Sequence, residues 1–192
     1  MEYLLMQPPF EMKPFKDMTK KEAQSHFDWY IREIPNRIAM LKNAYSITSK
    51  IDKEDIDYSS ESLIKLWQWY INNVDVEEKS EEDKNLERER YHESIPKNLC
   101  NKKISIGWMS IAMDIAIYFS ECFIKEHDTI RWSFVSKPKS LAYINKPILV
   151  GFKNGLDLDS TNIVRVLTSK IIDGEKDSNA LFMIYKKWSE NV

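Results

Sequence analysis

The chain has 192 residues, 43% of them hydrophobic and 12% aromatic, with only four glycines and seven prolines. That is enough material for one compact body with a sizeable core, and too little glycine and proline for a loop-rich sandwich. Charged residues reach 30% with both signs mixed and a net charge of −2, which excludes a general electrostatic pull toward nucleic acid or an anionic membrane.

The opening stretch, residues 1–18, reads as an extended arm. Pro8, Pro9 and Pro14 exclude a regular helix there, and Phe10 and Phe15 are placed to pin the arm onto the body. It has neither the basic start nor the sustained apolar run of a secretory signal. Thr19 and Glu22 have the spacing of a capping box, and a helical stripe of Ala23, Phe27, Tyr30, Ile31 and Ile34 follows. Pro35 suits the first turn of a new helix, so the pattern predicts two helices, about 19–33 and 35–47, joined at a kink. Ser59 or Ser60 is positioned to cap a third helix with Leu63, Leu66, Trp67, Tyr70 and Val74 on one face.

Residues 75–93 hold nine acids against four bases. Opposite charges recur at helical spacing, which predicts a solvated helix over 80–93. An acidic recognition face, with Glu81, Glu82 and Glu87 as its contacts, is the functional alternative. The most apolar element follows at 104–126. Its length would suit a membrane span, but Asp114 and Glu121 interrupt it. A central core helix is expected, with Gly107, Ser110, Asp114, Glu121 and Lys125 forming one polar seam. Beyond His127 the period turns to alternation, predicting strands near 130–134 and 147–152, with Leu141–Ile144 as an intervening candidate. Asp159 or Ser160 caps a helix that ends at Gly174, and Asp177 or Ser178 opens the last one. The expected architecture is a single mainly helical α+β domain spanning 1–192: about six helices around a central apolar helix, with one small antiparallel sheet. Within it, 19–74 forms a helical part, 75–103 a charged solvated segment, and 104–192 the central helix, sheet and last two helices.

The segments FDWYIREI and WQWYINNV share a Trp-Tyr-Ile core. On a helical wheel Tyr30 and Tyr70 border the core faces, whereas Trp29 and Trp69 fall off them. Those two tryptophans are either covered by a second layer, such as the N-terminal arm, or displayed to a protein partner.

Recognisable catalytic motifs do not occur in the chain. It contains no glycine-rich phosphate loop, no Cys-x-x-Cys pair, no His-Glu-x-x-His and no Gly-x-Ser-x-Gly, so neither a cofactor nor a metal is expected. Asp114, Glu121 and His127 are the weak catalytic candidates: two acids seven positions apart on one stripe could flank a substrate, and otherwise they pair inside the fold. Asp157 and Asp159 invite a hard cation, against the plainer reading of a turn residue and a helix cap. Arg131, Lys137 and Lys139 are the basic residues a nucleic acid would need. Cys100 and Cys122 are too few for a disulfide scaffold, and Cys122 reads as a small buried hydrophobe, which points to a reduced, cytoplasmic compartment.

The stretch DIAIYFSECFIKEH, followed by IRWSF and NKPILVGF, resembles a helix–strand–strand module of uncharacterised bacterial proteins. Glu121 and Trp132 match that pattern, and Ser120 stands where a glycine is common. The segment MTKKEAQSHFDWYIREIPNRI is similar to the start of uncharacterised proteins from Gram-positive bacteria. Some relatives of this type look like immunity proteins of toxin systems. The similar segments cover about a third of the chain and bring no catalytic residues. What the resemblance implies is a non-enzymatic module that binds a protein partner, a cognate toxin among the options. A small enzyme or ligand-binding domain built on Asp114, Glu121 and His127 is the alternative.

Overall fold

A computed structural model of the protein describes residues 3–50, 52–91 and 101–192. The fold is mainly helical α+β. In chain order the elements are α1 (Lys20–Ser49), α2 (Ser62–Asn73), β1 (Val76–Glu78), α3 (Glu81–Tyr91), β2 (Lys102–Ile104), α4 (Ile106–Glu126), β3 (Arg131–Ser133), β4 (Ile148–Val150), α5 (Ser160–Ile172) and α6 (Ala180–Ser189).

α4 is the central pillar. Ile115, Ala116, Ile117, Tyr118, Phe119, Cys122 and Phe123 are all fully covered, and α1 and α5 are its main neighbours. By length and composition α4 could cross a bilayer, but 67% of its apolar window is buried inside the protein. Burial in a protein core explains its composition equally well. α6 closes the far end, where the Tyr185 ring lies 4.1 Å from Phe123.

Several local rules hold. Thr19 and Glu22 form both halves of the capping box, Ser59 Oγ accepts the N–H of Ser62, and Asp159 caps α5 through the N–H of Asn162. Gly174 ends α5 at a positive φ of 89°. α1 departs from expectation: it runs through Pro35 as one helix of 30 residues. Pro35 lies on the exposed side, while Tyr30, Ile34, Ile38 and Leu41 on either side of it are buried in one core. That shared packing outweighs the loss of a single backbone bond.

The expected sheet is the antiparallel pair β3–β4, with Trp132 opposite Leu149; residues 141–144 form turns rather than a strand. Gly151 allows the pair to form. Its φ is +106°, and an added Cβ would stand 2.0 Å from the Thr129 carbonyl oxygen. A second pair arises within the charged segment. β1 and β2 are antiparallel, with Glu77 opposite Lys103 and Glu78 opposite Lys102. α3 matches the helix expected over 80–93, and ahead of it Glu77 and Glu78 face lysines across a ladder that was not expected.

The N-terminal arm lies against α1 and runs antiparallel to it. Phe10 and Phe15 make edge contacts with the His26 ring, at 6.5 and 5.0 Å between centroids. Asn145, in the left-handed region at φ 60°, donates from Nδ2 to the Phe15 carbonyl at 2.7 Å. The arm is thereby held at its C-terminal end as well as along its length.

Candidate functional site: the seam between the arm and the first helix

The seam begins with Asp114. Its side chain is 0% exposed and faces Arg37, which is 3% exposed. Arg37 reaches it from α1 with two parallel bonds, Nε to Oδ1 and Nη2 to Oδ2, each 2.8 Å. This is the bidentate geometry that suits guanidinium to carboxylate. The Tyr3 hydroxyl donates to Oδ2 as well. Arg37 Nη1 donates to the Leu4 carbonyl at 2.8 Å, and Nη2 reaches Ser110 Oγ at 3.1 Å. Burial pushes the Asp114 carboxyl above the usual carboxylate range, while Arg37 and Tyr3 pull it back down. Burial and the adjacent carboxylate push the Tyr3 hydroxyl well above its ordinary value, so it remains a donor.

The polar seam on α4 thus serves the fold at its N-terminal half. Ser110 and Asp114 are buried against Arg37 and the arm. The strip beside them is uncovered instead: Ile106 is 68% exposed, Met109 39% and Met113 37%. This reverses the expected faces of the helix. Glu121, lower on the same helix, accepts the indole N–H of Trp132 at 2.8 Å. The ring of His127 packs near Phe123, 6.2 Å between centroids, and its Nε2 is buried without a hydrogen-bond partner. The three catalytic candidates therefore have separate surroundings. Asp114 holds Arg37 and the arm, Glu121 holds β3, and His127 ends the helix.

Neither expected partner contact among the tryptophans is displayed. Trp29 is 7% exposed and Trp69 5%, which corrects their reading as surface anchors. Phe10 of the arm covers Trp29, with ring centroids 6.0 Å apart. Trp69 lies between Tyr45 and Trp108 and donates to Thr48 Oγ1 at 2.7 Å. The off-stripe positions are explained by a second layer. That layer is invisible on a single helical wheel, because it comes from residues distant in sequence.

Glu81 and Glu82 are exposed at the start of α3; the side chain of Glu87 lies outside the described residues. Glu81 pairs with Lys84 at 2.7 Å, and Asp83 pairs with Lys103 at 2.6 Å. The local acidity is therefore partly neutralised from within. Asp157 accepts from the Tyr143 hydroxyl, and Asp159 pairs with Lys146 at 3.4 Å. Among the described residues, no group of three or more His, Cys, Asp and Glu converges as a metal site would require.

Three adjoining cavities mark the seam itself. One of about 520 Å³ lies between Leu4–Gln7 and Pro9 of the arm and the α1 residues Trp29, Arg32, Glu33, Asn36 and Met40. A second, of about 550 Å³, shares Pro9 and Arg32 with it and continues past Phe27 and Ile31 to Ser25. A third, of about 370 Å³, shares Phe10 and Ser25 with the second and ends at Met18. Adjacent cavities thus share lining residues along the seam. Buried Trp29 lines the first of them, beside the arm that Asp114 and Arg37 secure. Nothing in the sequence links Trp29 to Asp114, and the fold brings them to the same seam through Arg37. Arg32 and Arg37 were missed, although Arg37 stands three positions from Ile34 on the buried stripe of α1, where a lone arginine signals a buried partner.

The chain matches no protein-family model, and no curated protein or solved structure is significantly similar to it.

Proposed function

We propose that this protein is a non-enzymatic, cytoplasmic protein-binding module, an inhibitor of the immunity type, which engages its partner along the seam between the arm and α1. The observation that carries this reading is the row of open cavities between the arm and α1, lined by apolar side chains together with the charged Asp28, Arg32 and Glu33. Such clefts are where recognition concentrates. Leu4 and Leu5 on its rim are 64% and 45% exposed, more apolar surface than a solvent-facing arm requires. The acids that an enzyme would need are already engaged, Asp114 by Arg37 and Tyr3 and Glu121 by Trp132. This weighs for binding over chemistry at those residues.

The test is co-expression of the full chain with the product of its neighbouring gene. The two are expected to co-elute, and growth arrest caused by that product is expected to be relieved. Leu5→Asp and Arg32→Glu, both on exposed positions, should abolish co-elution while leaving the circular dichroism spectrum unchanged. A neighbour that never binds, or one that binds both variants as well as the wild type, contradicts the proposal.

A further inference from the structure

We infer that the middle of the arm is an acid-released latch: protonation of His26 frees residues 5–12 from α1, lifts Phe10 away and uncovers Trp29. The device is a property of the chain by itself, and any docking along the seam would inherit its pH dependence.

Four aromatic rings enclose His26. Phe10 and Phe15 of the arm meet it edge-on, with centroids 6.5 and 5.0 Å away, and Trp29 and Tyr30 of α1 complete the box at 5.5 and 6.3 Å. The residue is 5% exposed, and its Nδ1 is buried without a hydrogen-bond partner. A neutral imidazole fits such a box as one more flat, weakly polar ring. An imidazolium does not, because both ring nitrogens then carry protons and Nδ1 has no acceptor to meet.

No charged group shares the box. Burial by itself lowers the His26 pKa, with no contribution from a charged neighbour. Glu11 and Lys13 of the arm and Lys21 and Glu22 of α1 line the adjoining cavity instead, and Glu11 and Lys21 are exposed. Lys13, together with the Thr19 N–H and hydroxyl, holds the Glu22 carboxyl at about 2, so that pair persists as the pH falls. Burial pushes the Tyr30 phenol up, which keeps it neutral. Asn145, reaching Phe15 from the connection between β3 and β4, carries no charge. The closed arm is therefore favoured in full above the ordinary imidazole value of ~6.5 and loses ground as the pH falls below it.

The arm is fastened at both ends of the segment that would move. Ahead of it, Tyr3 donates to Asp114 and the Leu4 carbonyl accepts from Arg37. Behind it, Lys13 pairs with Glu22 at 2.6 Å, and Asn145 Nδ2 donates to the carbonyls of Phe15 and Met18. Residues 5–12 between these points form neither helix nor strand. Within them Phe10 rests on both His26 and Trp29, 6.0 Å from the latter. A cavity of about 370 Å³ already opens between Phe10, Met18 and Ser25, the last being the chain neighbour of His26. Lifting Phe10 thus brings solvent to His26 without undoing either fastening, and it removes the cover from Trp29, which is 7% exposed while the arm is closed.

The test is amide hydrogen exchange and NMR on the full chain between pH 7 and pH 5, with His26→Phe and His26→Gln as references that cannot titrate. Comparing proteins at the same pH cancels the intrinsic pH dependence of exchange. Over that interval, exchange within residues 5–12 of the wild type is expected to rise about tenfold relative to either variant, while α4 amides keep pace with theirs. Cross-peaks between the Phe10 and Trp29 rings should fade as the His26 ring resonances report its protonation. If one variant fails to fold, the other still supplies the reference. Exchange that runs parallel in wild type and variant overturns the inference. So does an increase spread equally over α4, or a His26 that becomes charged while the Phe10–Trp29 cross-peaks persist. Because no partner is present, this outcome is separate from the co-expression result, and either can fail without the other.

Discussion

The seam around Asp114 and the hairpin around Lys103 both set a base against acids, and water makes the difference between them. Arg37 and Asp114 are 3% and 0% exposed, and every polar atom of the guanidinium has a partner within the fold. Lys103 and Asp83 are 34% and 30% exposed, and the strand partners Glu77 and Glu78 are exposed. In the seam, removing one partner strands a charge away from solvent. In the hairpin, water replaces whatever is lost. The buried pair therefore determines whether the arm stays in place, whereas the exposed pairs do little more than set the register of a short ladder.

The sharpest way to break the comparison is to remove one buried charge. Asp114→Asn or Arg37→Gln is expected to destabilise the protein by ~3–5 kcal/mol, read as a shift in the urea midpoint. Next in size is a histidine. His26 is 5% exposed, enclosed by Phe10, Phe15, Trp29 and Tyr30, and its Nδ1 has no partner. Burial lowers its pKa. A histidine held below its unfolded value of ~6.5 favours the neutral form in the native state. Its contribution is therefore complete above that value and is lost as the pH falls below it. Thermal unfolding between pH 7 and pH 5 should show this loss, and His26→Phe should flatten it. Trp132→Phe removes the donor to Glu121 and should cost about 1 kcal/mol. The smallest effect belongs to the hairpin. Lys102→Gln is expected to change stability by less than ~0.5 kcal/mol, with what little remains disappearing in high salt. A hairpin substitution that rivals Asp114→Asn would erase the contrast.

What the sequence disclosed follows the same division. Capping boxes, the Asp159 cap, the positive-φ glycine and the apolar pillar are local signals, readable within one turn or one helical period. The core positions of Tyr30 and Tyr70 are read the same way. The Asp114 partners are not local: Arg37 lies 77 positions away and Tyr3 lies 111 away, and no periodicity links them. Pro35 misled because the penalty for an interior proline is local, while the packing that overrides it is tertiary. The β1–β2 pair was legible in principle. Two adjacent glutamates and two adjacent lysines at complementary positions are the cross-strand pattern, but the helical charge spacing in the same segment masked it. The second layer over Trp29 and Trp69 had no signature on either helix, since Phe10 and Trp108 supply it from elsewhere.

At the centre of the seam, Asp114 holds Arg37 and, through Tyr3 and the Leu4 carbonyl, the arm. A double-mutant cycle by urea denaturation tests it, using Asp114→Leu, Arg37→Met and the two together. The predicted result is that each single variant loses several kcal/mol while the double variant recovers most of it, because shape-matched apolar groups replace a pair whose charges were already out of water. Losses that simply add in the double variant would contradict it.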